Sequence, residues 1–532
     1  MKKLLLLFII PFLSFGQDWV QVFVPTSSAH PVHVNETTDG GYIIVAKNGL
    51  EYEWFEYQFF RTNSFGDMIW SWTDTSNSII NAMFLKESDD GSFIFISDVF
   101  NEQTNEIYSK LIEIGPNGIL AEIALSGLSG YTSWFNTDYS NVGDFFLYPI
   151  TSCQITSDGG FLFSQTSLSG FEGSDSIPTF SCIVKKFDSL NNIEWEQNIV
   201  YPMPTNTSLY RPLFYFQDII GSATYYASEL PFWGKPEIIE VENQSYYIIN
   251  SITNNIGPFS DSVIDGRPVI TKLDSLGNIL WENVLDDDFG NFHSFGGVNS
   301  DDGGCVVVGS SLYYNFNDDL SLVSASLLGL VSNISVFKTD LNGDTLWTKS
   351  IGWETDSIID LIYDPPYGDD VYYGTSAFSA VGIDIINSND GGIVVLGHFP
   401  FDDYFSPVFP SGPFLMKLDS DGNTVWTQNN YFNDGQNNNL NDGTFAMGAE
   451  INQASDNGYV ITGSLWDQGV SKFFLIKTDS FGNANYISID DPLDVSKKLI
   501  TTIDVLGREA ANKGLQLEIY DDGSVEKKYL IK

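Results

Sequence analysis

Lys272-Leu273-Asp274-Ser275-Leu276-Gly277-Asn278-Ile279-Leu280-Trp281 decides the fold, because stretches like it recur along the same chain. The tryptophan, four residues after the glycine or its equivalent, returns as Trp70, Trp195, Trp347 and Trp426. Glu122 and Tyr486 hold that place in two further copies. A second pattern alternates with the first, an Asp-Gly-Gly type of turn followed by a short β-rich run. It reads Asp39-Gly40-Gly41-Tyr42, Asp90-Gly91-Ser92-Phe93 and Asp158-Gly159-Gly160-Phe161, then degenerates to Asn243-Gln244-Ser245-Tyr246. Asp302-Gly303-Gly304-Cys305, Asp390-Gly391-Gly392-Ile393 and Asp456-Asn457-Gly458-Tyr459 complete seven copies. A period of about 70 residues is that of one supersecondary unit with its loops.

Each unit reads as four strands. In the last copy, strand a runs near Gly448 to Ala454, strand b from Tyr459 to Gly463 and strand c from Phe473 to Thr478. The turn at Asp479-Ser480-Phe481-Gly482 leads towards strand d. Gly and Asn supply the positive φ of these tight turns, and the Asp side chains bond backbone N–H groups within them. Repeated antiparallel meanders make an all-β chain and a β-propeller, with seven four-stranded blades the expected count and eight the alternative. The recurrent tryptophan is then packing between neighbouring blades. Asp18-Trp19-Val20-Gln21-Val22-Phe23 resembles an orphan strand d that closes the ring, in competition with Asn485 to Ile489.

Composition agrees. The chain has 532 residues, 43% of them hydrophobic and 15% aromatic, which is ample for a core and excludes wholesale disorder. Its 69 acidic against 24 basic residues leave a net charge of -45, which would repel a phosphate backbone and excludes nucleic acid as a partner. Met1 to Gly16 reads as a signal peptide: Lys2 and Lys3, an apolar run from Leu4 to Phe15, then small residues. That run is too short to span a bilayer, and no later one approaches a span. The propeller is expected over residues 17–490. Cys153, Cys182 and Cys305 make no disulfide framework, although a Cys153–Cys182 bridge stays open.

The tail, 491–532, has seven Lys or Arg and eight Asp or Glu, so the acidity belongs to the body. It reads as short strands joined by Gly-containing turns, with a hairpin signal at Asp522-Gly523. Asp504-x-x-Gly507-Arg508, the Tyr520 to Gly523 segment and the basic end at Lys527, Lys528 and Lys532 resemble the C-terminal sorting domain of the type IX secretion system of Bacteroidetes-type bacteria. The Pro-rich opening of longer versions is missing. The resemblance implies that the type IX machinery is a partner, that the tail is removed, and that the product is secreted or held on the cell surface.

In a meander the a–b and c–d turns share one end of every blade. All five long insertions belong to the other end: Ser126 to Pro149, Tyr201 to Pro236, Leu312 to Ser332, Trp353 to Ala380 and Phe399 to Gly412. Long loops on a rigid scaffold are where binding sites sit. Trp134, Phe135, Trp233, Tyr367 and Tyr404 are the candidate binding residues, since exposed rings suit a glycan, peptide or protein. Asp369-Asp370 and Asp402-Asp403 are oxygen donors of the kind Ca²⁺ takes, the one cofactor the sequence offers. Asp419-Ser420-Asp421-Gly422-Asn423 and Asp340-Leu341-Asn342-Gly343-Asp344 have partial calcium-loop spacing, but they occupy the ordinary c–d turn.

Enzyme signals are thin. His30, His33, His293 and His398 form no metal pair and adjoin no nucleophile motif. Leu273-Asp274-x-x-Gly277-x-x-x-Trp281 is similar to the tryptophan-docking repeats of pyrroloquinoline quinone propellers, and Asp421-Gly422-Asn423-Thr424-Val425-Trp426 departs from the sialidase-type repeat. Both support a propeller rather than an activity. The body resembles the secreted Asp-Gly-Gly repeat propellers that carry type IX sorting tails. The resemblance implies a binding or adhesion module, with a propeller hydrolase or quinoprotein-like enzyme and a structural surface-layer component as the other readings.

Overall fold

The computed structural model describes residues 18–24, 30–48, 56–74, 79–101, 106–125, 131–132, 150–172, 177–200, 237–254, 265–285, 291–313, 331–351, 381–399, 412–429, 431, 444–467, 470–484, 499–504, 514–520 and 525–530. The chain divides into two compact units, Met1–Tyr486 and Ile487–Lys532. The first opens with β1 (Trp19–Phe23). Blade 1 is β2 (His30–Glu36), β3 (Tyr42–Asn48), β4 (Glu56–Thr62) and β5 (Met68–Thr73). Blade 2 is β6 (Ile79–Glu87), β7 (Phe93–Asn101), β8 (Glu106–Gly115) and β9 (Gly118–Ala124), with β10 (Tyr131–Thr132) added on β8. Blade 3 is β11 (Ile150–Ile155), β12 (Phe161–Glu172), β13 (Ile177–Phe187) and β14 (Ile193–Val200). Blade 4 is β15 (Glu237–Val241), β16 (Ser245–Asn254), β17 (Asp265–Leu273) and β18 (Ile279–Val284). Blade 5 is β19 (Asn291–Asn299), β20 (Cys305–Tyr313), β21 (Val331–Thr339) and β22 (Thr345–Ile351). Blade 6 is β23 (Val381–Asn387), β24 (Ile393–Phe399), β25 (Gly412–Leu418) and β26 (Thr424–Gln428). Blade 7 is β27 (Thr444–Gln453), β28 (Tyr459–Asp467) and β29 (Val470–Lys477).

The protein is therefore a seven-bladed β-propeller. Its first strands, β2, β6, β11, β15, β19, β23 and β27, pack on one another in a closed inner ring. Blade 7 takes its fourth strand from the other end of the chain. β1 pairs antiparallel with β29, Trp19 opposite Lys477, which is the register of Trp281 opposite Lys272 within blade 4. The competing segment from Asn485 lies outside the described residues.

Buried clusters fill the spaces between successive sheets, and one contact recurs in nearly all of them. The tryptophan of strand d lies on the positive-φ glycine of the next blade's c–d turn. A Cβ added at Gly277 would meet the Trp195 ring at 2.5 Å, and Gly343, Gly422 and Gly482 stand likewise at 2.7, 3.0 and 2.9 Å from Trp281, Trp347 and Trp426. A Cβ added at Gly66 of blade 1 would meet Trp19 of the closing strand at 2.8 Å, so the device runs through the closure. Trp195 and Trp347 also donate their indole N–H to the turn carbonyls of Ser275 (2.9 Å) and Ser420 (3.1 Å).

Blade 2 departs from the expectation that Glu122 stands in for the tryptophan. Its c–d turn is shorter, Gly115 pairing with Gly118, so Ala121 rather than Glu122 faces Glu113 across the strands. The consequence appears in the next blade. With no tryptophan to receive, the c–d turn of blade 3 has Asn191 (φ 65) in place of glycine.

A buried cation lies opposite each tryptophan and pairs with the aspartate of its own blade's a–b turn. Asp39–Arg61, Asp158–Lys186 (2.8 Å), Asp302–Lys338 (2.7 Å), Asp390–Lys417 and Asp456–Lys477 (2.8 Å) are these pairs. The two exceptions are compensated locally. Blade 2 has Glu113 for the cation, and Ser92, in place of glycine, sets its hydroxyl between the Asp90 and Glu113 carboxylates. Blade 4 has no aspartate, and Lys272 turns to Tyr247, donating to its hydroxyl at 3.1 Å with the ammonium 5.0 Å from the ring centroid.

No disulfide joins the three cysteines. Cys153 on β11 and Cys182 on β13 are separated by β12, so the bridge left open by the sequence is not made. In the second unit, β30 (Leu499–Asp504), β31 (Gly514–Tyr520) and β32 (Val525–Leu530) form an antiparallel sheet in that order. Asp504 pairs with Gln516, Tyr520 with Leu499 and Lys527 with Leu517, while Gly507, Arg508 and Gly523 lie outside the described residues.

Replacing Trp281 by Ala should cost about 3 kcal/mol, the lower part of the range for a large aromatic, because the ring is only partly buried. The glycine rule gives a sharper test. Gly277→Asn puts a side chain into the Trp195 ring and should destabilise by about 2 kcal/mol or more. Asn191→Gly, at a site that no tryptophan covers, should stay within about 0.5 kcal/mol of the parent in urea melts. Equal losses for the two would show that the indole does not select the glycine.

Candidate functional site

The two ends of the propeller differ as the insertion pattern implies. At one end every a–b and c–d connection is a short turn, held by hydrogen bonds such as Gly277 N–H to the Asp274 carbonyl (3.0 Å). In the c–d turns of blades 4 and 6 the Asp274 and Asp419 carboxylates accept backbone N–H groups two and four residues on. Asp340 does the same in blade 5. The partial calcium spacing of Asp340 and Asp419 is thus spent on the turn, and no group of three or more metal-ligating side chains occurs among the described residues. The five long insertions connect strands at the opposite end. Trp134, Phe135, Trp233, Tyr367 and Tyr404, with the Asp369-Asp370 and Asp402-Asp403 pairs, lie outside the described residues.

The described residues bring together a set that the sequence reading passed over. Each inner strand contributes one residue to a single tier of the central ring, cross-strand from the fourth residue of its strand b, or from the fifth in blade 4, where Ile249 of β16 is the partner. His33, Ser152, Glu237, Gly296, Asp384 and Glu450 occupy it in blades 1, 3, 4, 5, 6 and 7. Met83 completes it in blade 2. β-Bulges precede the tier residue in blades 1, 5, 6 and 7, and bulges re-aim side chains.

Two acids of this tier, Asp384 and Glu450, clasp neighbouring blades. Asp384 accepts the N–H of Ile385 at 2.8 Å and that of Ile451, in the next blade, at 3.1 Å. Glu450 repeats this one blade on, accepting the Val34 N–H and lying 3.2 Å from His33 Nδ1. Gly296 leaves the room, since a Cβ there would sit 3.1 Å from the Asp384 carboxylate. A second set of clasps lies at the turn end. Glu87 accepts the Thr38 N–H (2.7 Å), Glu240 that of Ser157 (2.7 Å) and Glu36 that of Ser455 (2.6 Å), in each case from the preceding blade.

Two of the histidines are buried in the body. Burial pushes His30 and His398 down to about 4, so both are neutral imidazoles at physiological pH. His30 Nδ1 stands 3.1 Å from Ser464 Oγ across the blade 7 to blade 1 seam, a packed contact with both side chains buried.

Asp384 is the most perturbed acid. Burial, reinforced by the nearby Glu450 and Glu237 charges, raises it to about 8 against the ordinary 3.8. An acid raised in the folded state contributes its full share of stability below 3.8, and that share falls as pH rises to 8. The buried histidines act oppositely below their ordinary 6.5, so the comparison must be with a variant. Asp384→Asn should flatten the fall in stability between pH 5 and 8 relative to the parent, read by urea denaturation at each pH. Parallel curves for the two proteins would mean that Asp384 is ionised throughout.

No family model matches the chain, and no curated protein matches it. Solved structures similar to it include Penicillium chrysogenum alpha-L-arabinanase complexed with arabinobiose, 8% identical with a TM-score of 0.37, covering 87% of this chain and 98% of that one. The Dos1 propeller is 10% identical with a TM-score of 0.36, covering 89% and 97%. A Synechocystis apocarotenoid oxygenase mutant is 10% identical with a TM-score of 0.36, covering 88% and 94%. At such identities and scores, no activity of these proteins transfers to this chain.

Proposed function

We propose that this is a secreted or surface-attached binding module, with a glycan, peptide or protein ligand at the end of the propeller that carries the long insertions. The carrying observation is the asymmetry of the ring: tight, uniform turns at one end, and all five long insertions at the other. A rigid ring with variable loops on one face is the arrangement in which loop sequence sets specificity. The net charge of -45 favours neutral glycans, basic peptides or cation-bridged surfaces over polyanions. Export follows from the signal peptide and the tail, whose resemblance assigns it to the type IX machinery. No helix among the described residues is long and apolar enough to cross a membrane.

The test is a glycan and peptide array probed with the body lacking residues 491–532, followed by Trp134→Ala, Trp233→Ala and Tyr404→Ala together. Binding should weaken about tenfold or more, as for loss of aromatic anchors, with the melt unchanged. A body that turns over an array hit would establish the enzyme reading instead. Retained binding in the triple variant, with loss on changing Ser275 or Asn423, would place the site at the turn end. Mass spectrometry of the surface and supernatant fractions should find the tail removed. An intact Lys532 end there would overturn the export reading.

A further inference from the structure

The inner tier gathers charge of one sign. Glu237, Asp384 and Glu450 reach it from blades 4, 6 and 7, and neither lysine nor arginine occupies it in any blade. At the turn end, by contrast, carboxylates sit beside ammonium groups, as at Asp158–Lys186 and Asp456–Lys477. His33, Glu237, Asp384 and Glu450 are all part-exposed although they lie on the innermost strands, so they face the open middle of the ring. The charges that act on Asp384 are Glu450 and Glu237, both negative, and His33 lies beyond, against Glu450. Blade 3 adds an independent observation. Ser152 of the tier is buried, and Ser164 lies opposite it on the same face of the sheet. Ser164 is fully buried, and its hydroxyl has no hydrogen-bond partner among the described residues. A buried hydroxyl without a partner asks what the site it faces is built to hold.

We infer that the middle of the ring is a binding site for a basic side chain, arginine above lysine, held among Glu237, Asp384 and Glu450. This rests on the binding reading and names its ligand class, a peptide or protein that presents a guanidinium group. The acceptors select that group over a metal ion. No three metal-ligating side chains converge among the described residues, whereas Ca²⁺ takes about six to eight oxygens. Asp384 accepts one N–H on each oxygen, from Ile385 and Ile451, and Glu450 accepts that of Val34. Carboxylates so engaged take further N–H donors, and a guanidinium spreads its donors across a plane, towards acids that stand on different blades. Glu237 opens β15 directly after the Tyr201 to Pro236 insertion, so the site adjoins the end of the propeller that carries the long loops. A cation bound there favours ionised Asp384, and so releases the proton that burial and the two neighbouring acids keep on it at neutral pH.

Calorimetric titration of the full chain with N-acetyl-arginine amide, in buffers of different ionisation heat between pH 7 and 9, tests it. Binding should be saturable, release about one proton per ligand at pH 7, tighten as pH rises to 8 and level off above. Glu237→Gln, which leaves the Asp384 and Glu450 clasps in place, should weaken binding about tenfold with an unchanged melt. Asp384→Asn should weaken it likewise and abolish the proton release. Glu122→Gln removes the same charge from an outer strand and should leave binding as it is. No saturable binding, equal weakening by Glu122→Gln, binding without proton release, or Ca²⁺ held in preference to the arginine probe would overturn the inference. An arginine probe still bound when the Trp134, Trp233 and Tyr404 triple variant has lost its array ligand would support it. Array binding intact in a chain that ignores the probe would overturn this site and leave the binding module standing.

Discussion

The contact on which the ring depends is an indole laid on a bare turn. Seven sheets make a closed ring only if each meets the next at the same spacing, and the Trp–Gly contact sets that spacing at the outer corner of most blades. The glycine serves twice there. Its positive φ lets the c–d turn close, and its missing Cβ lets the neighbour's ring lie on the backbone. Where the tryptophan is lost, as at Ala121, the glycine requirement lapses in the following turn at Asn191. Correlated loss of both partners within one chain indicates that they form a unit.

The same reasoning explains the acidity of the body. Many carboxylates are structural: those of the a–b turns neutralise buried cations, those of the c–d turns close the turn, Glu36, Glu87 and Glu240 clasp the preceding sheet, and Glu450 clasps the next. Asp158, despite some burial, is held at about 2 by Lys186, Thr156 and the Gly160 N–H. An acidic body here is partly a record of how many turns and seams seven blades contain.

Repetition made the blades legible in the sequence. Turn chemistry and a tryptophan at fixed spacing needed no knowledge of long-range contacts, and the orphan strand at Trp19 could be matched to the same template. The Glu122 assignment failed because counting from Gly118 assumes a constant turn, whereas Pro116-Asn117 makes a shorter one. The inner tier was missed because its position holds His33, Ser152, Glu237, Gly296, Asp384 and Glu450, which share no chemistry. A signal existed in its constant offset, six residues before the first residue of the a–b turn motif in these six blades. The aromatic residues of the insertions offer no such repeat, and nothing local in their sequence fixes where they point.

Closure by β1 also sets an order of events. The strand made first is the one that must wait longest, because its partner β29 belongs to the last blade. Until then Trp19, Val20 and Val22 have no sheet to enter, and the ring is an arc with an apolar end. Pairing the two ends is the step of greatest sequence separation in the fold, the kind that slows folding most. A chain interrupted after any earlier blade would therefore keep an adhesive end, and completing the last sheet removes it.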